Sequence, residues 1–113
     1  MIILKDVEIA KDLFLKEDMA IVVVKDGKVV FYSKDKGIKP IYTLAKEMKE
    51  EAFGASVADR VIGKGAALLC GYLGIKEVYS GLISNLGQQV LESYNIPYTM
   101  EKSCPYIMNR DKT

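Results

Sequence analysis

A chain of 113 residues, half of them hydrophobic and 27% charged, has the length and balance of one soluble globular domain spanning residues 1–113. Sixteen basic residues against fifteen acidic ones leave a net charge of +1, so no global field draws the chain to nucleic acid or to an anionic membrane. Histidine is absent and the two cysteines lie far apart in sequence, which removes the commonest general base and any ordinary zinc site; no metal and no cofactor are expected.

The amino terminus, MIILKDVEIA, carries no basic leader, and the longest unbroken apolar run, Met19 to Val24, is too short to span a bilayer. Cys70 and Cys104 make no disulfide framework, so a reducing cytoplasm is the expected setting. Lys5 to Lys16 places Val7, Ala10, Leu13 and Phe14 on one helical face. Met19 to Val24 reads as a strand buried on both faces. It is joined by Asp26-Gly27 to a second strand, Lys28 to Tyr32, because a two-residue Asp-Gly link between apolar runs signals a hairpin. Pro40 suits the opening of a helix whose buried stripe is Ile41, Leu44, Ala45 and Met48.

The stretch Ser56 to Gly74 reads as one long helix. Ala58, Val61, Ile62, Gly65, Leu69, Tyr72 and Leu73 recur at three- and four-residue steps, and from Ala66 onward the opposite side is apolar as well. Such a helix is covered on both sides, with Gly74 as its left-handed cap. Glu77 to Ile83 follows as a third strand. Ser84 caps a helix that Asn95 and Ile96-Pro97 terminate, and Tyr98 to Lys102 is a fourth strand. Strands alternating with helices after a hairpin predict a three-layer α/β/α sandwich. Its mixed sheet has about four strands, with one antiparallel strand at an edge.

Ligands in open α/β sheets bind at the carboxyl ends of strands, where helix starts offer free amides and a favourable dipole to anions. Arg60 and Lys64, four apart on the expected helix, form a like-charge pair that an anion would relieve. Asp59 has two readings, a member of that site or the partner of Ser56 in a capping box. Gly63-Lys64-Gly65 lacks the spacing of a phosphate loop; with Ala66, Ala67 and Gly71 it reads better as a small surface for close packing, on the sheet or on a second subunit. Ser84 and Asn85 open the last helix on the same sheet edge, and Asn109-Arg110 in the tail is a further candidate for the ligand. Ser84 lacks a base that would make it a nucleophile.

The stretches KGIKP, ADRVIGKGAALL, GIKEVYSGLIS and YNIPY, with NRD near the end, resemble a prokaryotic family of unknown function that groups with the cytidine deaminase-like fold. The resemblance covers Lys34 to Arg110 and implies the same three-layer architecture. Zinc deaminases start one helix with a His or Cys ligand and a catalytic Glu, and the next with Pro-Cys-x-x-Cys. The corresponding starts here are expected at Ser56-Val57-Ala58-Asp59 and Ile83-Ser84-Asn85-Leu86, which supply no such set. Members of that family continue past Asn-Arg into a Cys-Pro-rich end, whereas Cys104-Pro105 comes earlier here; a longer carboxyl segment completing the site is one expectation. The resemblance therefore implies a pocket lined by Asp59, Arg60, Lys64, Ser84, Asn85, Asn109 and Arg110 that takes a small anionic or nucleotide-like molecule. Two alternatives stand beside it: a zinc-independent enzyme using Asp59 and Lys64 as acid and base, and a structural or regulatory homodimer.

Overall fold

The computed structural model describes residues 5–35 and 37–103. Asp26 and Gly27 both take positive φ, 53° and 80°, the primed turn whose twist matches the strands it joins. The strands are β1 (Ile21–Lys25) and β2 (Lys28–Ser33). Asp6 at the start of α1 (Asp6–Lys16) fastens this turn, its two carboxylate oxygens accepting the amides of Asp26 at 2.9 Å and Gly27 at 2.8 Å. After β2 come α2 (Lys39–Glu47), which carries Pro40 in its first turn, and the short α3 (Lys49–Ala52).

The largest departure from expectation comes next. Ser56–Ile62 is a strand, β3, and only Lys64–Leu73 is helix, α4. The run SVADRVI fits both periods, because Ala58, Val61 and Ile62 fall at helical steps while Val57, Ala58 and Asp59 are buried whichever way they face. Contacts distant in sequence decide between them. β3 pairs antiparallel with β1 (Val23 opposite Val57) and parallel with β4 (Glu77–Ile83), so both edges of its backbone are hydrogen-bonded. Gly63, in extended conformation (φ −99°, ψ −168°), separates strand from helix. The Ser56–Asp59 capping box therefore does not exist, and Arg60 and Lys64 do not share a helical face. Gly74 ends α4 as expected, with φ 74°.

α5 (Asn85–Ser93) and β5 (Tyr98–Ser103) complete a five-stranded sheet of order β2-β1-β3-β4-β5. β1 runs antiparallel to both of its neighbours while β3, β4 and β5 are parallel, so the antiparallel strand lies inside the sheet and not at its edge. On one face α1 packs Ala10 and Phe14 against Val22, Val24, Ala58 and Tyr79. On the other, Ile41 and Leu44 of α2, Ala67, Cys70 and Leu73 of α4 and Leu91 of α5 cover Ile21, Val23, Val57 and Val78. Each large side chain wholly buried there contributes about 1.5–3 kcal/mol. The three layers match the expected sandwich with one strand more. No helix among the described residues is long and apolar enough to cross a membrane.

Candidate functional site

β3 and β4 end side by side, and α4 and α5 leave them at the same rim. The Ser84 amide donates to the Ile62 carbonyl at 3.0 Å, which ties the start of α5 to the turn that starts α4. Gly87 rests on that turn. A Cβ there would lie 3.0 Å from the Ile62 oxygen and 3.2 Å from that of Gly63, so any larger residue would have to push the turn away by a few tenths of an ångström. The two starts differ in how they are finished. Ser84 accepts the Gly87 amide through its hydroxyl at 3.0 Å and is buried. Gly63 has no side chain to offer α4, leaving the first-turn amides without a side-chain cap, and Lys64, the first helical residue, is exposed. Asn85 is likewise exposed at the first position of α5.

Asp59 lies three residues before the end of β3, 7% exposed. Ala58 turns to α1 and Val57 to the other helical layer; Asp59 alternates with Ala58 and joins the side where its charge reaches Cys70 of α4. Burial pushes its carboxyl up to about 7, against the lowering influence of the Arg60 and Val61 amides that it accepts and of the Arg60 guanidinium. The Arg60 amide lies 2.8 Å from Asp59 Oδ1. Burial also drives the Cys70 thiol upward, with Asp59 adding to the effect, so this cysteine is an inert core group. Opposite Asp59 on β4 sits Ser80, fully buried, which the sequence reading missed. Its hydroxyl donates to the Leu82 carbonyl at 3.0 Å and accepts the Leu82 amide, bridging Gly81, whose missing Cβ lets the Arg60 carbonyl approach. A Ser-Gly pair inside a buried strand is the signal that could have revealed it.

Arg60 leaves this group. It points through the other face, over the Phe14 ring at 6.0 Å, and donates to Asp18 and to the Met19 carbonyl, each at 3.0 Å. The rim therefore assembles Lys64, Ser84 and Asn85, with Asp59 and Ser80 deeper in the parallel pair beneath them. Asn109, Arg110 and Cys104 lie outside the described residues.

A mixed five-stranded sheet with helices on both faces and two helix starts paired above adjacent parallel strands is the architecture of the cytidine deaminase-like folds. The dCMP deaminase of cyanophage S-TIM5, solved in apo form, superposes with a TM-score of 0.57 at 15% identity, covering 83% of this chain and 92% of that one. A diaminohydroxyphosphoribosylaminopyrimidine deaminase/5-amino-6-(5-phosphoribosylamino)uracil reductase of Thermotoga maritima superposes with a TM-score of 0.52 at 20% identity, covering 82% of this chain and 34% of that one. At these identities the likeness is one of fold.

The sequence from residue 9 to 113 matches the TM1506 family, a domain of unknown function (DUF1893), and the chain belongs to that family. The crystal structure of the DUF1893 protein TM1506 from Thermotoga maritima matches with a TM-score of 0.83 at 24% identity, covering 97% of this chain and 74% of that one. A search of curated proteins found no match.

The fold raises the question of zinc. The helix starts that carry the ligands in zinc deaminases read Gly63-Lys64-Gly65 and Ser84-Asn85-Leu86-Gly87 here, offering neither thiolate, imidazole nor carboxylate and presenting an ammonium group instead. Among the described residues, no three His, Cys, Asp or Glu side chains gather within reach of one ion. The residues at these two helix starts do not fit zinc.

Proposed function

We propose that this chain is a deaminase-fold domain that binds a small anion, of phosphate or nucleotide type, at the start of α4 beside α5. The observation that carries this reading is the contrast between an uncapped helix start bearing an exposed lysine and the capped start of its neighbour. Three first-turn amides, the positive end of a ten-residue helix and the Lys64 ammonium all favour negative charge at one point. Ser84 and Asn85 add polar groups at the border. Thermal melts with inorganic phosphate and nucleoside monophosphates test the reading. Occupancy at about a hundred times Kd stabilises by about 2.7 kcal/mol, a rise of several degrees for a domain of this size, and Lys64→Ala removes the rise. No shift with any of these anions at millimolar concentration contradicts it.

One observation favours a second reading, a zinc-independent enzyme in which Asp59 and Lys64 exchange protons. A buried carboxyl raised to about 7 is poised to act as general base near neutral pH. A carbon-detected titration of Asp59 checks it, and a midpoint below about 5 removes the reading.

A further inference from the structure

We propose that the outer face of the α2–α4–α5 layer is an interface through which two copies of this chain pair. The outer side of a surface helix is ordinarily polar. Here α4 presents Leu68 and Tyr72 to solvent, α2 adds Ile38 and Tyr42, Phe53 follows α3 and Tyr94 follows α5, each between 42% and 66% exposed. These side chains are contiguous. Ile38 reaches over Gly65, Phe53 over Gly74 and Tyr94 over Gly71, each occupying the space a Cβ would need, so the glycines of α4 and its cap draw the neighbouring apolar groups onto one surface. Tyr42, Ala45, Lys46, Leu69 and Tyr72 line a groove of about 330 Å³, and the Lys49 ammonium lies 4.2 Å from the centre of the Tyr72 ring. The small residues of α4 thus pack within the molecule, and the larger ones beside them form the free surface.

Size and chemistry point to a second copy as occupant. Four aromatic and two aliphatic side chains, each about half exposed, present on the order of 500 Å² of apolar surface. One side of a standard interface is about 800 Å², about two-thirds of it apolar in homodimers, so the patch matches the requirement. α4 carries Lys64 as its one charge, and the net charge of +1 leaves copies without mutual repulsion. The border carries both signs, with Lys39, Lys46 and Glu47 on α2, while Glu92 of α5 accepts the Tyr98 hydroxyl. α2, α4 and α5 all begin at the same rim, so a two-fold axis parallel to them lays α2 of one copy along α5 of the other.

Sedimentation velocity on the full 113-residue chain tests this. The wild-type chain is expected as a dimer at about 100 μM, and Leu68→Glu is expected to weaken association by about 30-fold or more. Leu68 is exposed, so its replacement leaves the melt cooperative; should that variant fail to fold, Tyr72→Lys is expected to show the same loss. A wild-type chain that stays monomeric at that concentration overturns the proposal and leaves the face to a different protein. A folded variant that associates as tightly as wild type overturns it equally. The ligand reading at the rim is unaffected by either result, since Lys64→Ala is read in thermal melts and Leu68→Glu in mass.

Discussion

The starts of α4 and α5 are neighbours on one rim, built by the same strand-to-helix turn, yet one is closed and the other open. At α5, Ser84 bends its hydroxyl back onto the Gly87 amide and is buried in doing so. At α4, Gly63 offers the first-turn amides no side-chain cap, and Lys64 stands exposed at the first helical position. A protein that needed both helix starts only for structure would gain about 1 kcal/mol from a side-chain cap at each. The α4 start forgoes that stabilisation, as do the starts of α2 and α3, but at α4 the exposed Lys64 stands at the rim beside a capped neighbour, which is the contrast the proposed anion site rests on.

Substitutions that break or sharpen this contrast rank by size. The largest effect is expected at Asp59, on the strand that feeds the open start. Its folded pKa is raised from 3.8 to about 7, so between these values the folded protein holds a proton that the unfolded chain has released. The stability that follows is fully present below about pH 4 and is lost as pH rises through about 7. Asp59→Asn keeps an oxygen for the Arg60 amide and removes the titration. Denaturant unfolding across this range is expected to show a flat profile for the variant, exceeding wild type at about pH 8 by a few kcal/mol. Parallel profiles for the two proteins would contradict the burial argument.

Gly87→Ala comes next, because its methyl meets two backbone carbonyls that cannot turn away. A loss of about 1–3 kcal/mol in urea midpoints is expected. Gly71→Ala is the control: its methyl meets the ring of the half-exposed Tyr94, which can swing aside, so the loss should be smaller. A larger loss at Gly71 than at Gly87 would mean that the two helix starts are not held together as described. Ser84→Ala removes the closed start's cap and is expected to cost about 1 kcal/mol. Lys64→Ala should change stability least, within about 0.5 kcal/mol in the absence of anions, since the side chain is exposed.

The turns and caps were legible because each rests on one or two residues. Asp26-Gly27, Gly74 and Asn95 all take the left-handed backbone their types permit, and Ser84 caps the helix it precedes. β3 was not legible because a strand buried on both faces has no alternation to betray it. Val57, Ala58, Val61 and Ile62 satisfy a helical step as well as an extended one, and the hydrogen bonds that decide come from β1 and β4. One misplaced boundary moved three site residues. Asp59 and Arg60 passed from a helix to opposite faces of a strand, and Lys64 moved from inside the expected helix to the first position of α4. The two helix starts open side by side because that follows from the order of parallel strands rather than from that boundary, the Ser84 amide donating to the Ile62 carbonyl at 3.0 Å.

The contrast between the two starts is tested most directly by amide NMR during titration with inorganic phosphate. The largest shift changes are expected at Lys64, Gly65 and Ala66, with Gly87, already bonded to Ser84, changing little. Equal or larger changes at Gly87, or changes spread over the surface with none at the start of α4, would contradict the account.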